Sequence, residues 1–378
     1  MNEDKIWLSS PHLCGKEIVY IQEALDTNWV APVGKNIDVF EQDLEHYLGK
    51  NHVTALVSGT AALHLGLVLL GIKAGDYVIC QSMTFAASAF PILYQNATPV
   101  FVDSELDTWN LCPKALLEAI EDCISKGNKP KAIITVHLYG MPYKVNEIRA
   151  IADQFDIPIL EDSAEAMGST FEGKKCGTFG DVSVLSFNGN KIITTSGGGA
   201  IVTKTKILQQ KALFLATQSR DEAHHYQHSE LGFNYRMSNI CAGIGRAQLE
   251  VLNNRKDLRR EMHDFYVDLF ENINGVRVMS EPNNSYHSNF WLTTILIKPE
   301  EANRKTSEDL RVFLNQYNIE SRPLWKPMHL QPIFENHPYF GQNIAENLFR
   351  NGLCLPSGSN LSKTEKNRIK NAINLFFH

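Results

Sequence analysis

Seven short apolar runs punctuate the first two-thirds of the chain, at residues 53–57, 77–80, 99–102, 132–136, 157–160, 182–187 and 200–202. They are rich in Val and Ile and do not alternate strictly with polar residues, which is how strands buried on both faces read. Between most of them lie amphipathic stretches, such as 113–124 and 145–155, that predict helices. Strands alternating with helices predict a layered α/β domain built on a parallel or mostly parallel sheet.

Beyond Arg236 the texture changes. One long helical pattern, rich in Leu, Arg and Glu, runs over 238–270. After it, strands near 276–279 and 291–297 and helices near 307–317, 344–351 and 364–377 predict a compact α+β unit. The expected organisation is a large domain over 1–236, a linking helix over 237–270 and a small C-terminal domain over 271–378. The segment 1–25 is expected to fold back onto one of these, with nothing in its sequence to say which.

Composition narrows the functional classes. At 378 residues, with 43% hydrophobic and 21% charged residues, the chain reads as globular rather than disordered. A net charge of -6 argues against a basic nucleic-acid face, though not against a local pocket for a phosphorylated ligand. The seven cysteines are odd in number and never at CxxC spacing, which fits reduced thiols better than disulfides or a zinc site. The start MNEDKIWLSS has no basic-then-apolar leader, and the longest apolar run, 63–72, is broken by His64 and Gly66 and is too short to span a bilayer. The expectation is a cytoplasmic protein with neither membrane nor nucleic acid as partner.

Four local features carry chemistry. In SGTAALHLGL, 58–67, a strand ends in a turn of small residues and a helix begins; Gly59 and Thr60 would leave amides free for an anion at its N-terminus. The same string also reads as an ordinary junction capped by Ser58 or Thr60. In EDSAEAMG, 161–168, acids follow directly on an apolar run, at the strand end where ligands of open α/β sheets gather. Asp162 there would either pair with a ring nitrogen that must stay protonated or cap the next helix. In SFNGNKIITTSGGGA, 186–200, Lys191 sits in a polar turn before a β-branched run and three glycines. Lysines that form Schiff bases need a fixed, semi-buried setting of this kind. A dinucleotide loop is the alternative, but no G-x-G-x-x-G opens a helix after a first strand. In GFNYRMSNICAGIGRAQLE, 232–250, Asn234 and Arg236 precede a helix capped by Ser238.

Taken together, these strings resemble the DegT/DnrJ/EryC1/StrS family of sugar aminotransferases, enzymes of fold-type I that depend on pyridoxal 5'-phosphate (PLP). The likeness covers nearly the whole chain and includes TNWVAPVGKNIDVFE, SMTFAASA, ESRPLWKPMHLQPIF and CLPSG. Within the family, NGNKIITTSGGG and RPLWK are most similar to C4-aminotransferases of the bacillosamine pathway. The resemblance implies an aspartate-aminotransferase-like fold and a homodimer with a shared active site. It makes Lys191 the catalytic lysine that carries PLP, with pyridoxamine phosphate as the alternate form, L-glutamate as donor and a UDP-linked 2-acetamido-4-keto-2,6-dideoxy sugar as acceptor. It gives Asp162 to the ring nitrogen, Phe85 to the ring face, and Gly59, Thr60 and Ser186 to the phosphate, which Asn234 reaches from the neighbouring subunit. Glu165 stands where many members have Gln or His beside the phenolic oxygen, so its role is less fixed.

Substrate contacts fall on Asn28, Trp29 and Ala31 in the N-terminal turn and on Arg322, Trp325 and His329 in the tail. Arg322 suits a diphosphate and otherwise reads as a surface ion pair; Trp325 suits stacking and otherwise reads as core. Lys191 argues against the 3-dehydratases that resemble this family but carry His there, and Lys191 with Asp162 argues against a non-catalytic PLP-fold protein. A dTDP- or GDP-linked sugar, or amination at C3, stays open. In HHYQH, 224–228, His224 and His228 would share a helix face, but PLP chemistry needs no metal; a loop near the substrate mouth or subunit interface is expected instead.

Overall fold

Each of the seven apolar runs forms a strand of one sheet: β1 His52–Leu56, β2 Tyr77–Gln81, β3 Thr98–Val102, β4 Ala132–Val136, β5 Ile159–Asp162, β6 Val182–Ser186 and β7 Gly199–Thr203. The computed structural model describes residues 4–49 and 51–377, so the outermost ends of the expected domains, residues 1–3 and 378, lie outside the described residues. The strands run in the order β1-β7-β6-β5-β4-β2-β3, and β2 to β6 pair in parallel. β7 runs antiparallel to both β6 and β1. The chain between β6 and β7 holds no helix and turns straight back.

Neighbouring residues of the central strands point to opposite faces and build two cores. Ile79, Val100, Ile133 and Ile159 meet Leu116, Ile120 and Ile148 from helices Pro113–Ser125 and Val145–Gln154. Val78, Phe101, Ile134 and Leu160 meet Leu63, Leu67 and Ala212 from helices Gly59–Leu69 and Lys206–Ala216. A second, four-stranded antiparallel sheet forms from Val276–Val278, Thr293–Ile297, Gly352–Leu355 and Arg322–Pro323. Its core of Ile295, Leu310, Leu314 and Ile373 is shared with Met262 and Tyr266.

Three features depart from the sequence reading. The single helix expected over 238–270 is two, Asn239–Glu250 and Leu252–Phe270, because Val251 leaves helical dihedrals (φ -107°, ψ 5°). The first piece packs on helices Glu17–Asp26 and Lys35–Tyr47, the second on the small sheet, so each follows its own partner. The tail does not stay with the small sheet: Tyr339–Phe340 adds an eighth strand beside β3. The N-terminal segment touches both units, with Ile6 bridging Ile319 and Glu17 accepting from Gln248 Nε2 at 2.6 Å.

Candidate active site

A cavity of about 280 Å³ opens at the carboxyl ends of β5 and β6, where ligands of such sheets collect. Its wall includes Gly59, Thr60, Phe85, Asp162, Glu165, Ser186, Lys191 and Trp325. These are all of the residues expected at the cofactor except Asn234, together with one of the six expected at the substrate.

Lys191 stands in the turn between β6 and β7. Its flanking carbonyl, Asn190 O, accepts from Trp291 Nε1 and from Ser9 Oγ, each at 2.7 Å. Lys191 Nζ lies 3.5 Å from Glu165 Oε1 and 4.0 Å from the centre of the Trp291 ring. Glu165 is buried, its other oxygen accepting from the Tyr139 N–H at 2.7 Å. Burial pushes its carboxyl above the usual range, against the pull of Lys191 and the Tyr139 amide. Asp162 is pushed up by burial as well, opposed first by Ser88 Oγ at 2.7 Å from Oδ2 and then by the Ala164 N–H at 3.1 Å from Oδ1.

On the opposite wall, Ser58 rather than Thr60 caps helix Gly59–Leu69, its hydroxyl accepting from Ala61 N–H at 3.0 Å. The amides of Gly59 and Thr60 therefore head the helix with no carbonyl to serve. A Cβ on Gly59 would meet Ser186 Cβ at 3.0 Å, and one on Gly199 would lie 2.5 Å from Gly59 N. Glycine at these positions keeps that helix end bare, tight against the strands. An anion-binding helix terminus, a buried acid for a cationic ring nitrogen, an exposed Phe85 ring and a fixed lysine fit a phosphorylated pyridine aldehyde.

The remaining candidates lie outside the cavity wall. The His329 ring is stacked on Tyr339, 3.7 Å between centres, with Nδ1 on Ser82 Oγ at 2.6 Å and Nε2 on Glu346 at 3.3 Å. Arg322 is exposed and paired with Glu320 at 2.7 Å. Asn28, Trp29 and Ala31 are exposed on a loop held by Asn239, whose Nδ2 donates to Trp29 O at 2.7 Å. Asn234 is exposed, on a bridge to Thr217. Residues 224–228 form an exposed irregular loop. Sequence reasoning missed Trp291 and Tyr139, which shape the lysine's side of the cavity; a Trp opening a strand carries no signal apart from core packing.

The sequence matches the DegT/DnrJ/EryC1/StrS aminotransferase family over residues 12–374. The chain belongs to that family. It is a PLP-dependent aminotransferase of fold-type I. It is 47% identical over 99% of its length, and 96% of the relative's, to EpsN of Bacillus subtilis (strain 168), whose name assigns it provisionally to the pyridoxal phosphate-dependent aminotransferases. It is 40% identical to a GDP-perosamine synthase of Escherichia coli O157:H7, over 97% of both chains. A UDP-4-amino-4,6-dideoxy-N-acetyl-beta-L-altrosamine transaminase of Campylobacter jejuni is 30% identical over 90% of this chain and 89% of its own. A crystal structure of a family member from Brucella abortus superposes with a TM-score of 0.89 at 29% identity, covering 96% of this chain and 95% of that one.

Proposed function

We propose that this aminotransferase moves the amino group of L-glutamate onto C4 of a UDP-linked 2-acetamido-4-keto-2,6-dideoxy sugar. The observation that carries the catalytic reading is the convergence of Lys191 Nζ, Glu165, Asp162 and the Gly59–Thr60 helix end on one cavity. Bound PLP supplies an electron sink for the carbanion left when an amino donor loses its Cα proton. Lys191 carries the cofactor, and its Nζ takes that proton in one half-reaction and delivers one to the sugar's C4 in the other. The Asp162 carboxylate holds the proton on the ring nitrogen. Gly59, Thr60 and Ser186 would hold the phosphate, Phe85 would cover the ring, and Glu165 would serve the phenolic oxygen. Trp291, Tyr139 and Trp325 form an aromatic side to the site that keeps water from Lys191.

The reading includes a homodimer. Trp29, Tyr226 and Leu231 are 53%, 77% and 81% exposed, apolar surface that a second copy would cover. In a homodimer, Asn28, Trp29, Ala31 and Asn234, which stand clear of their own chain's cavity, would serve the neighbour's.

The UDP-linked acceptor is supported by NGNKIITTSGGG and RPLWK and by the likeness to the Campylobacter jejuni transaminase. A GDP-linked 4-keto-6-deoxyhexose is the second reading, favoured by the higher identity to a GDP-perosamine synthase. Incubating the PLP-loaded enzyme with L-glutamate and each keto-sugar nucleotide, UDP-, GDP- and dTDP-linked, and weighing the products by mass spectrometry separates them. Amination of the UDP-linked N-acetyl sugar alone is expected; turnover of the GDP-linked sugar alone replaces it with the second reading.

A further inference from the structure

Ser88 lies just outside the cavity and has no part in the function described so far. It ends the short turn Ala86–Ser88 that follows Phe85, and its side chain is buried. Its Oγ lies 2.7 Å from Asp162 Oδ2 and 2.7 Å from Thr84 Oγ1. An ionised carboxylate only accepts, so Ser88 must donate to Asp162. The Ser88 proton is then committed, and Thr84 must be the donor to Ser88. The two hydroxyls form a directed chain, Thr84 to Ser88 to Asp162, that points partial positive charge at the carboxylate. In a buried setting such chains strengthen one another.

The need for this chain follows from where Asp162 sits. It is almost wholly buried, and burial favours its neutral form. A neutral Asp162 holds no proton on a pyridine nitrogen. The ionisable groups around it are Lys191 and Glu165 at the cavity, His137 just after β4, and Cys80 on β2. Lys191 and His137 favour the carboxylate, but the charge on Lys191 Nζ varies as it takes and delivers protons, and His137 is already engaged by Glu161 at 2.7 Å. Ser88 and the Ala164 N–H are uncharged donors whose support does not change as the reaction proceeds.

We propose that Ser88, backed by Thr84, is a positioning residue that keeps Asp162 ionised and aimed at the ring nitrogen. It ties the turn that presents Phe85 to the acid beneath the cofactor, so ring face and ring nitrogen are set by one element. The proposal rests on Asp162 being the partner of the ring nitrogen.

The test is the ¹⁵N NMR signal of PLP labelled at the ring nitrogen and bound to the enzyme, followed against pH. Wild type should show a pyridinium across the range in which it is folded. Ser88→Ala should bring the ring-nitrogen titration down by about one pH unit, the worth of one hydrogen bond to a charged group. Ser88→Thr should restore it. Thr84→Val, which keeps the shape and removes the outer donor, should shift it less in the same direction and serves if Ser88→Ala does not fold. A serine that merely packs would lower cofactor occupancy and leave the signal of the bound cofactor unmoved. Asp162→Asn separates the two claims: it should lose the pyridinium outright. If it does, and Ser88→Ala and Thr84→Val both titrate as wild type, the Ser88 assignment is overturned. If Asp162→Asn keeps the pyridinium, the Asp162 assignment falls and the Ser88 proposal with it.

Discussion

Lys191 Nζ lies 3.5 Å from Glu165 Oε1, with both side chains nearly buried and with Asp162 on the same cavity wall. Two acids thus share the neighbourhood of a single lysine. Glu165 and Asp162 both have carboxyls raised by burial. A native state that raises a carboxyl's pKa binds that proton more tightly than the unfolded chain does. Its contribution is favourable at acid pH and is lost as pH rises through the raised folded value. Replacing Glu165 by Gln removes its share of that penalty. The melting temperature of cofactor-free Glu165→Gln should therefore gain on wild type as pH rises from the ordinary carboxylate range toward neutrality. Thermal unfolding at several pH values reads this directly. A constant difference would mean that folding leaves the Glu165 carboxyl unshifted.

Lys191→Ala should reduce turnover by at least about 10³-fold, since one group performs both proton transfers. It should still bind pyridoxamine phosphate, because the helix end, Ser186, Phe85 and Asp162 are untouched. Steady-state kinetics and a binding titration test the two halves; loss of pyridoxamine phosphate affinity would mean the lysine holds the cavity open.

Gly199→Ala places a Cβ 2.5 Å from Gly59 N, a contact that only backbone movement relieves. The helix end should be pushed off the strands at a cost of about 1–3 kcal/mol. PLP affinity should fall with stability, whereas a variant that lost stability alone would leave the Gly59–Thr60 amides without a part in phosphate binding.

Arg236, two residues after Asn234, reads as structural. It forms a two-pronged pair with Glu41 and also donates to Ala55 O at 3.3 Å on β1. Arg236→Met should cost about 3 kcal/mol, because it strands a mostly buried carboxylate. Chemical denaturation should show that loss, with PLP affinity near wild type when measured well below the melting temperature.

Much of this was legible in the chain. The seven Val- and Ile-rich runs became seven of the eight strands of the large sheet because strands buried on both faces leave an unbroken apolar signature. The small glycine turn at 58–60, the acid at 162 and the lysine at 191 converge because each ends or follows a strand of that sheet. What escaped had no local signature. Tyr339–Phe340 is two residues held by pairing with β3, and Val251 breaks a helix with neither Gly nor Pro to announce it. His329 stands out in the chain only through its place in the tail string ESRPLWKPMHLQPIF; its stacking on Tyr339 is visible only in the fold. The segment 1–25 could not be placed because it bonds to both units, Ser9 reaching the carbonyl beside Lys191.

The most direct test of the central claim is the absorption spectrum of the protein with PLP, before and after excess L-glutamate. A visible band that bleaches to the shorter-wavelength pyridoxamine form, and that Lys191→Ala fails to give, is the predicted result. A protein that takes up no chromophore, or one whose band is indifferent to glutamate, would contradict the account of Lys191 and the donor half-reaction.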